Sequence, residues 1–256
     1  VGVVSGGAVF ALARQSPAAA GLDPIENVPE QASVTLAETG GYLRELAGDL
    51  DQWLLSIAFF VGMGTILTVV GLWGVPYLVA VYGLDVTTAS YFTLLGSIGI
   101  LVGGPGVGWI SDRIGRRLVP MMIGFGVFAL ALTVIPVLGS PPLAVIAVLY
   151  FLIGSCIGVT VLALPVIKER YPAEASGVAT AVVNGAGFFG ATVLPTVKGV
   201  AVDRYRTGDV VAGAVTYTEF GYRVAFSITA VAAVVAFCSI VALYLRDRRR
   251  GRLGSA

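Results

Sequence analysis

Charged residues are missing from long stretches of this chain, and the position of those stretches predicts its helices. Uncharged runs long enough to cross a membrane cover 52–84, 86–111, 118–167, 175–197 and 224–245. A helical crossing takes about 20 apolar residues, and the turn sequence LGSPP at Leu138–Pro142 divides the longest run in two. The pattern therefore predicts an all-α membrane protein, a six-helix transmembrane bundle over residues 52–245.

The first of these runs is longer than a straight crossing requires. Residues 52–84 would make a helix of roughly 50 Å, whereas the hydrocarbon core is only about 30 Å thick. Gly71, Gly74 and Pro76 lie within this run, and a proline removes a backbone hydrogen bond and clashes with the preceding turn. We therefore expect the helix to bend near these three residues.

Three further regions flank the predicted bundle. Residues 1–13 are apolar but too short to cross, which predicts the end of a truncated preceding transmembrane helix. Residues 14–51 are rich in Pro, Gly and acids and predict a cytoplasmic central linker. From Tyr42 its leucines recur at helical spacing, which fits either an amphipathic helix in the interface or an extension of the first crossing. Residues 246–256 predict a basic cytoplasmic tail.

The basic residues predict the orientation of the bundle. With six crossings, the segments 14–51, 111–117, 168–174 and 246–256 share one side of the membrane. All of the 16 Lys and Arg residues lie on that side except Lys198, Arg204, Arg206 and Arg223. Because positive charge is retained on the inner side, the richly basic side is predicted to be cytoplasmic.

Composition supports a membrane protein and excludes several other classes. The chain is 57% hydrophobic and 12% charged, with a mean hydropathy of +0.90, about half the charged fraction of a soluble domain. A net charge of +1 indicates no nucleic-acid partner. The chain has no His, and Cys156 and Cys238 both lie in apolar runs. We therefore predict no metal site and no cofactor.

One short segment concentrates charge between two uncharged runs. GWISDRIGRR, Gly108–Arg117, has an aspartate and three arginines, with glycines on either side of the acid. A positive anchor on the inner side would account for the arginines alone. The spacing Gly-x-x-x-Asp-Arg-x-Gly-Arg-Arg resembles the loop signature of the major facilitator superfamily of secondary transporters. The matching positions are Gly108, Asp112, Arg113, Gly115, Arg116 and Arg117.

The resemblance implies a fold, a partner and a mechanism. It implies the C-terminal six-helix half of such a transporter, built from two three-helix inverted repeats and paired with an N-terminal six-helix half that this chain lacks. Such a protein would be a multi-pass permease of the plasma membrane, in contact with lipid and carrying a small solute by alternating access. The signature acid, Asp112 here, would engage a helix end and basic residues of the other half and would help to close the inner side.

Small residues recur in the fifth uncharged run. Gly185, Gly187 and Gly190 match a dinucleotide-binding pattern, but they lie inside a predicted membrane helix rather than after a strand. Small residues at four-residue spacing let helices approach closely in lipid. We therefore predict helix packing for Gly177, Ala181, Gly185, Gly187 and Gly190.

Asn184 is the leading candidate for contact with a solute. It lies about 14 Å into its predicted span, near the midplane where secondary transporters bind their substrates. A hydrogen bond to a neighbouring helix would explain it equally well. The resemblance implies that the first, second, fourth and fifth crossings line the cavity, which adds five weaker candidates: Tyr77, Tyr91, Tyr150, Thr160 and Thr180.

None of the six predicted spans contains an ionisable Asp, Glu, His, Lys or Arg. A coupling carboxylate or an anion-binding arginine is therefore expected in the missing half or not at all. The chain offers no cluster of catalytic groups, so we predict that it is not an enzyme. The alternative to a transporter is a non-transporting polytopic membrane receptor or scaffold.

Overall fold

The computed structural model describes Gly7, residues 36–211 and residues 214–252, and the described residues from 36 onward form one compact unit. The predicted end of a preceding helix at 1–13, apart from Gly7, lies outside the described residues. So do most of the predicted linker and the last residues of the predicted tail.

Six helices of the described chain are long and apolar enough to cross a membrane, which confirms the predicted six-helix bundle. A shorter helix, α1 (Leu36–Gly48), precedes them. The six are α2 (Leu50–Tyr82), α3 (Val86–Ile114), α4 (Leu118–Leu138), α5 (Leu143–Lys168), α6 (Ala173–Val202) and α7 (Glu219–Arg249).

α1 is a separate helix rather than an extension of the first crossing. It ends at Gly48, and Asp49 adopts an extended conformation before α2 begins at Leu50. The Asp49 carboxylate accepts a hydrogen bond from the backbone N–H of Asp51 at 2.8 Å, which satisfies one of the free donors at the start of α2. The chain therefore changes direction at Asp49.

α2 is irregular where a bend is predicted. Leu67–Trp73 forms a π-helical segment, and Gly74–Tyr82 continues as α-helix with Pro76 in its first turn. A Cβ on Gly74 would lie 2.5 Å from the Val69 carbonyl oxygen and 2.7 Å from the Tyr150 hydroxyl. Only glycine therefore fits at the end of the π-helical segment, which is the kind of irregularity often found at functional sites.

The helices pack in pairs. The most extensive contacts are those of α6 with α2, of α7 with α4, and of α3 with α5, and α7 also packs against α2. Glycines allow the closest of these approaches, because a Cβ on Gly154 of α5 would lie only 1.9 Å from the Gly96 carbonyl oxygen of α3. On α6, a Cβ on Gly190 would lie 2.1 Å from the Phe60 carbonyl oxygen of α2.

α6 is longer than its uncharged run, and this corrects the prediction that no span contains an ionisable residue. It continues to Val202 and includes Lys198, which is fully buried. Leu194, Lys198 and Val202 continue the stripe of buried residues at helical spacing along α6. The helix extends past the uncharged run because its buried face extends to Val202, and the charged residue Lys198 lies on that face.

The connection between α6 and α7 contains a β-hairpin, an addition to the predicted all-α fold. Arg206–Val211 pairs antiparallel with Ala214–Tyr217. The Tyr217 ring stacks on the Trp73 ring of α2 with a centroid distance of 5.6 Å. The hairpin is therefore packed against the end of the π-helical segment.

Candidate functional site

The signature segment forms the end of α3 and the turn into α4. Gly115 has a φ of 65°, a left-handed conformation that favours glycine, and its N–H donates to the Ser111 carbonyl at 3.0 Å. This glycine ends α3 within three residues of the start of α4. The sharp turn brings the Asp112 carboxylate within 3.3 Å of the Arg117 guanidinium.

Arg117 joins the signature segment to the turn between α5 and α6. Its Nε donates to Glu169 Oε1 at 2.8 Å, while its NH1 donates to Asp112 Oδ1. The three charged groups are partly or largely exposed, so each ion pair contributes little to stability by itself. Their effect is to tie two turns of the same end of the bundle together.

The rest of the signature is exposed. The Asp112 side chain is 71% exposed, Arg116 is exposed, and the Arg113 guanidinium lies 5.2 Å from the centroid of the Trp109 ring. A Cβ on Gly108 would meet no atom within 4 Å. These groups are therefore accessible on the surface at this end of the bundle.

A buried ion cluster lies behind this surface and joins the ends of three helices. Arg170 donates from NH1 to Asp51 Oδ2 at 2.8 Å and from NH2 to Asp247 Oδ2 at 2.5 Å. The side chains of Arg170, Asp51 and Asp247 are only 11%, 3% and 7% exposed. We call these three residues the buried arginine network. It connects the start of α2, the α5–α6 turn and the end of α7.

Further arginines surround Asp51. Arg246 Nε donates to Asp51 Oδ1 at 2.9 Å, and NH1 groups of Arg250 and Arg252 donate to Asp51 Oδ2 at 3.2 and 3.4 Å. One buried carboxylate thus accepts from four arginines, counting Arg170. Such charge-assisted hydrogen bonds are the strong ones in proteins, and together they hold the start of the predicted tail against the bundle.

Tyr171 extends the network toward α1. Its hydroxyl donates to the Asp49 carboxylate, the same group that caps the start of α2. Burial, followed by this hydrogen bond to Asp49, raises the pKa of Tyr171 above its ordinary value. The hydroxyl therefore stays protonated as a donor across the physiological range.

A cleft of about 390 Å³ opens between the signature segment and the buried arginine network. Arg116, Arg117, Arg170 and Arg252 line it, together with three carboxylates. Within the described residues, Ser111 Oγ and Arg170 Nε are buried without a hydrogen-bond partner. The chemistry of this end is therefore that of a polar, mainly basic surface.

The candidate cavity residues fall into two groups. Asn184 and Tyr91 are exposed on α6 and α3. Tyr77, Tyr150 and Thr160 are fully buried inside the bundle, and Thr180 is partly buried, with its hydroxyl donating to the Ser176 carbonyl. The described contacts bring Asn184 and Tyr91 into no common site, so a shared solute cavity stays a prediction.

The buried candidates differ in their hydrogen bonding. The Tyr77 hydroxyl donates to the Gly139 carbonyl at 2.9 Å, and the Thr160 hydroxyl donates to the Cys156 carbonyl at 3.0 Å. The Tyr150 hydroxyl is buried without a partner. Of the three, only the Tyr150 hydroxyl makes no hydrogen bond.

The small residues of α6 also divide. Cβ atoms added to Gly187 and Gly190 would lie 2.4 Å from the Phe59 ring and 2.1 Å from the Phe60 carbonyl oxygen, whereas Gly177 and Gly185 would meet no atom within 4 Å. Ala181 is exposed. For Gly177, Ala181 and Gly185, packing against another helix stays a prediction.

Sequence reasoning missed two charged groups. It assigned Asp51 to the linker and Lys198 to a loop, because both lie beside the ends of uncharged runs. A signal for Asp51 existed: an acid in the first turn of a helix is favourable, and Asp49 and Asp51 flank Leu50. No comparable signal marks Lys198.

Two comparisons with known proteins bear on this chain. The family model described as Major Facilitator Superfamily matches residues 1–195. The chain is also 27% identical over 168 residues to a gentisate transporter of Corynebacterium glutamicum. That alignment covers 64% of this chain but 36% of the relative, so the chain spans only about a third of the relative's length.

The family match includes the signature segment, which carries Asp112 and Gly115 at the turn between α3 and α4. It extends over four of the six candidate membrane helices, α2 to α5, and into the fifth, α6. Since it covers well over half of the chain, the chain belongs to the major facilitator superfamily.

Proposed function

We propose that this chain is the C-terminal six-helix half of a transporter that moves a small solute across the plasma membrane by alternating access. The observation that carries the proposal is the signature segment, complete in sequence and tied through Arg117 to Glu169 on the next turn of the same end. The family membership and the transporter relative support it.

The proposed mechanism assigns different tasks to the buried and the exposed charges. The buried arginine network holds α2, the α5–α6 turn and α7 together, so that the half moves as one body. Asp112, Arg113 and Arg116 are exposed, and they would contact the other half only when the cytoplasmic side is closed. Contacts made in one state alone shift the equilibrium between states, and rocking of one half against the other exposes the site alternately.

The orientation follows from the same charges. With the signature segment and the buried arginine network on the cytoplasmic side, the basic end obeys the positive-inside rule. The hairpin and the Leu138–Pro142 turn then face the outside.

The substrate we propose is a small organic acid, and gentisate is the first compound to test because the relative is a gentisate transporter. The test is uptake by the intact protein in proteoliposomes, across organic acids, sugars, amino acids and drugs. We expect time-dependent accumulation or exchange of at least one class. Well-folded protein that binds a solute and exchanges none would contradict the proposal and favour a receptor or scaffold.

Asp112→Asn is expected to reduce the uptake rate about tenfold, which corresponds to about 1.4 kcal/mol of bias between states. The reason is that the substitution removes the charge proposed to contact the other half in one state only, while the exposed position and its exposed pair with Arg117 leave folding nearly unchanged. Initial uptake rates and the unfolding temperature of each protein measure the two effects.

The matched control is Asp203→Asn, which removes another exposed carboxylate that pairs with an arginine, Arg206, at the far end of the bundle. We expect wild-type uptake from the control. Equal rates for Asp112→Asn and the wild type would refute a gating role for the signature acid.

A further inference from the structure

Lys198 is a lysine inside a membrane helix, and no ion pair of the described chain includes it. It is fully buried, and its Nζ has no hydrogen-bond partner. The Nζ lies 4.7 Å from the Phe226 ring centroid and 5.2 Å from the Trp73 ring centroid. Ring faces attract a cation, but they supply no counter-charge, so an ammonium here remains uncompensated.

A second polar group without a partner, the Tyr150 hydroxyl of α5, lies beside the same part of α2. The Tyr150 hydroxyl is buried and unpaired, and it would lie 2.7 Å from a Cβ on Gly74. Gly74 directly follows Trp73, the ring that contacts Lys198. Trp73 and Gly74, consecutive residues at the end of the π-helical segment, thus lie beside the Lys198 amine and the Tyr150 phenol, neither of which has a hydrogen-bond partner.

Further aromatic rings pack against the two rings that contact the Lys198 amine. Tyr222 packs edge-on against Trp73, with a centroid distance of 6.3 Å, and Phe226 packs against Tyr77 at 5.1 Å. The set combines one positive charge, one free hydroxyl and several aromatic faces. It is complementary to a ligand with a carboxylate, a hydroxyl and a flat apolar body.

We propose that the end of the π-helical segment is a binding site for a small organic anion, in which Lys198 binds the carboxylate and Tyr150 binds a ligand hydroxyl. This inference rests on the proposed transport function and deepens it by assigning the groups that recognise the solute. Trp73 covers Lys198 in this structure and is itself covered by Tyr217 of the hairpin. Entry of the anion therefore requires displacement of the Trp73 ring, which is only partly buried.

The test measures ligand binding to the intact protein in detergent by calorimetry, with two probes. Gentisate carries a carboxylate, and hydroquinone is the same ring and hydroxyl pair without it. We expect Lys198→Met to weaken gentisate binding roughly a hundredfold, because a desolvated charge pair is lost, and to leave hydroquinone binding unchanged. Lys198→Arg retains the charge and should retain most of the gentisate affinity.

The matched control is Lys168→Met, which replaces an exposed lysine outside the site and should bind both probes as the wild type does.

Tyr150→Phe removes one oxygen that has no protein partner, so this variant should fold normally and bind both probes about fivefold more weakly. This variant decides the question if Lys198→Met does not fold.

The outcomes separate this inference from the proposed function. The proposed site is refuted if the wild-type protein binds gentisate no better than hydroquinone. It is also refuted if Lys198→Met binds gentisate with unchanged affinity. If Lys198→Met does not fold, unchanged gentisate affinity in Tyr150→Phe refutes it. Transport of any solute by such a protein would leave the proposed function standing. Lysine-dependent gentisate binding without transport would establish the site and refute the transport function.

Discussion

Replacing Arg170 by methionine should lower the free energy of unfolding by about 3–5 kcal/mol, the range found when one partner of a buried ion pair is removed. Asp51 and Asp247 are nearly fully buried beside the Arg170 guanidinium. Without it, Asp247 loses its only described ion-pair partner, and Asp51 keeps only arginines that are more exposed. Thermal unfolding of the intact protein in detergent should show a decrease of roughly 10 °C.

The control for this prediction is Arg206→Met. Arg206 also pairs with a carboxylate, Asp203 at 2.8 Å, but both side chains are more than half exposed. Water and salt screen such a pair, so the unfolding temperature should hardly change. Equal small shifts for the two variants would show that the network is not buried as described.

Gly103→Ala should also destabilise the protein strongly, by about 3 kcal/mol, because it overfills a helix contact. The added Cβ would lie 2.1 Å from the Ser155 carbonyl oxygen and 2.5 Å from its Cα. These obstructing atoms belong to backbone, so no side-chain rotation relieves the overlap and α3 must move away from α5. Thermal unfolding and the yield of monodisperse protein measure the effect.

Its neighbour provides the comparison. Gly104→Ala adds the same methyl group on the same helix, where no atom lies within 4 Å. Alanine is the better helix former by about 0.5–1 kcal/mol, so this variant should be as stable as the wild type or slightly more stable. Similar losses in both variants would mean that helix α3 does not approach α5 through Gly103.

The six-helix bundle could be predicted because a membrane-spanning helix has to meet a simple requirement of composition. Each crossing must be apolar over its full width, so charge-free runs gave the number of spans, and the Leu138–Pro142 turn was found from its Gly and Pro residues. The irregular part of α2 was predictable near Gly71, Gly74 and Pro76 because glycine and proline disturb a helix locally.

The site was harder to predict because it depends on partners that are distant along the chain. Arg170 and Asp51 are 119 residues apart, and Arg170 and Asp247 are 77 apart. A charge next to an apolar run marks the membrane boundary in sequence, but only the packing of α2, α5 and α7 shows that Asp51 is buried. Lys198 was missed because the criterion of uncharged runs ends a helix at any charge.

The hairpin was missed for a different reason. Its strands, Arg206–Val211 and Ala214–Tyr217, are short and partly polar, and a two-stranded hairpin is marginal in isolation. It is packed here through Tyr217 on Trp73, a contact with no signal in the local sequence.

The central claim is that six helices cross the membrane with the signature segment on the cytoplasmic side. Single cysteines at Arg113 and Ser140, introduced into the intact protein after Cys156, Cys238 and any other cysteines are replaced, test it with a membrane-impermeant maleimide on whole cells. We expect Ser140→Cys to react from outside and Arg113→Cys to react only after permeabilisation. Reaction of both positions from the same side would contradict the claim.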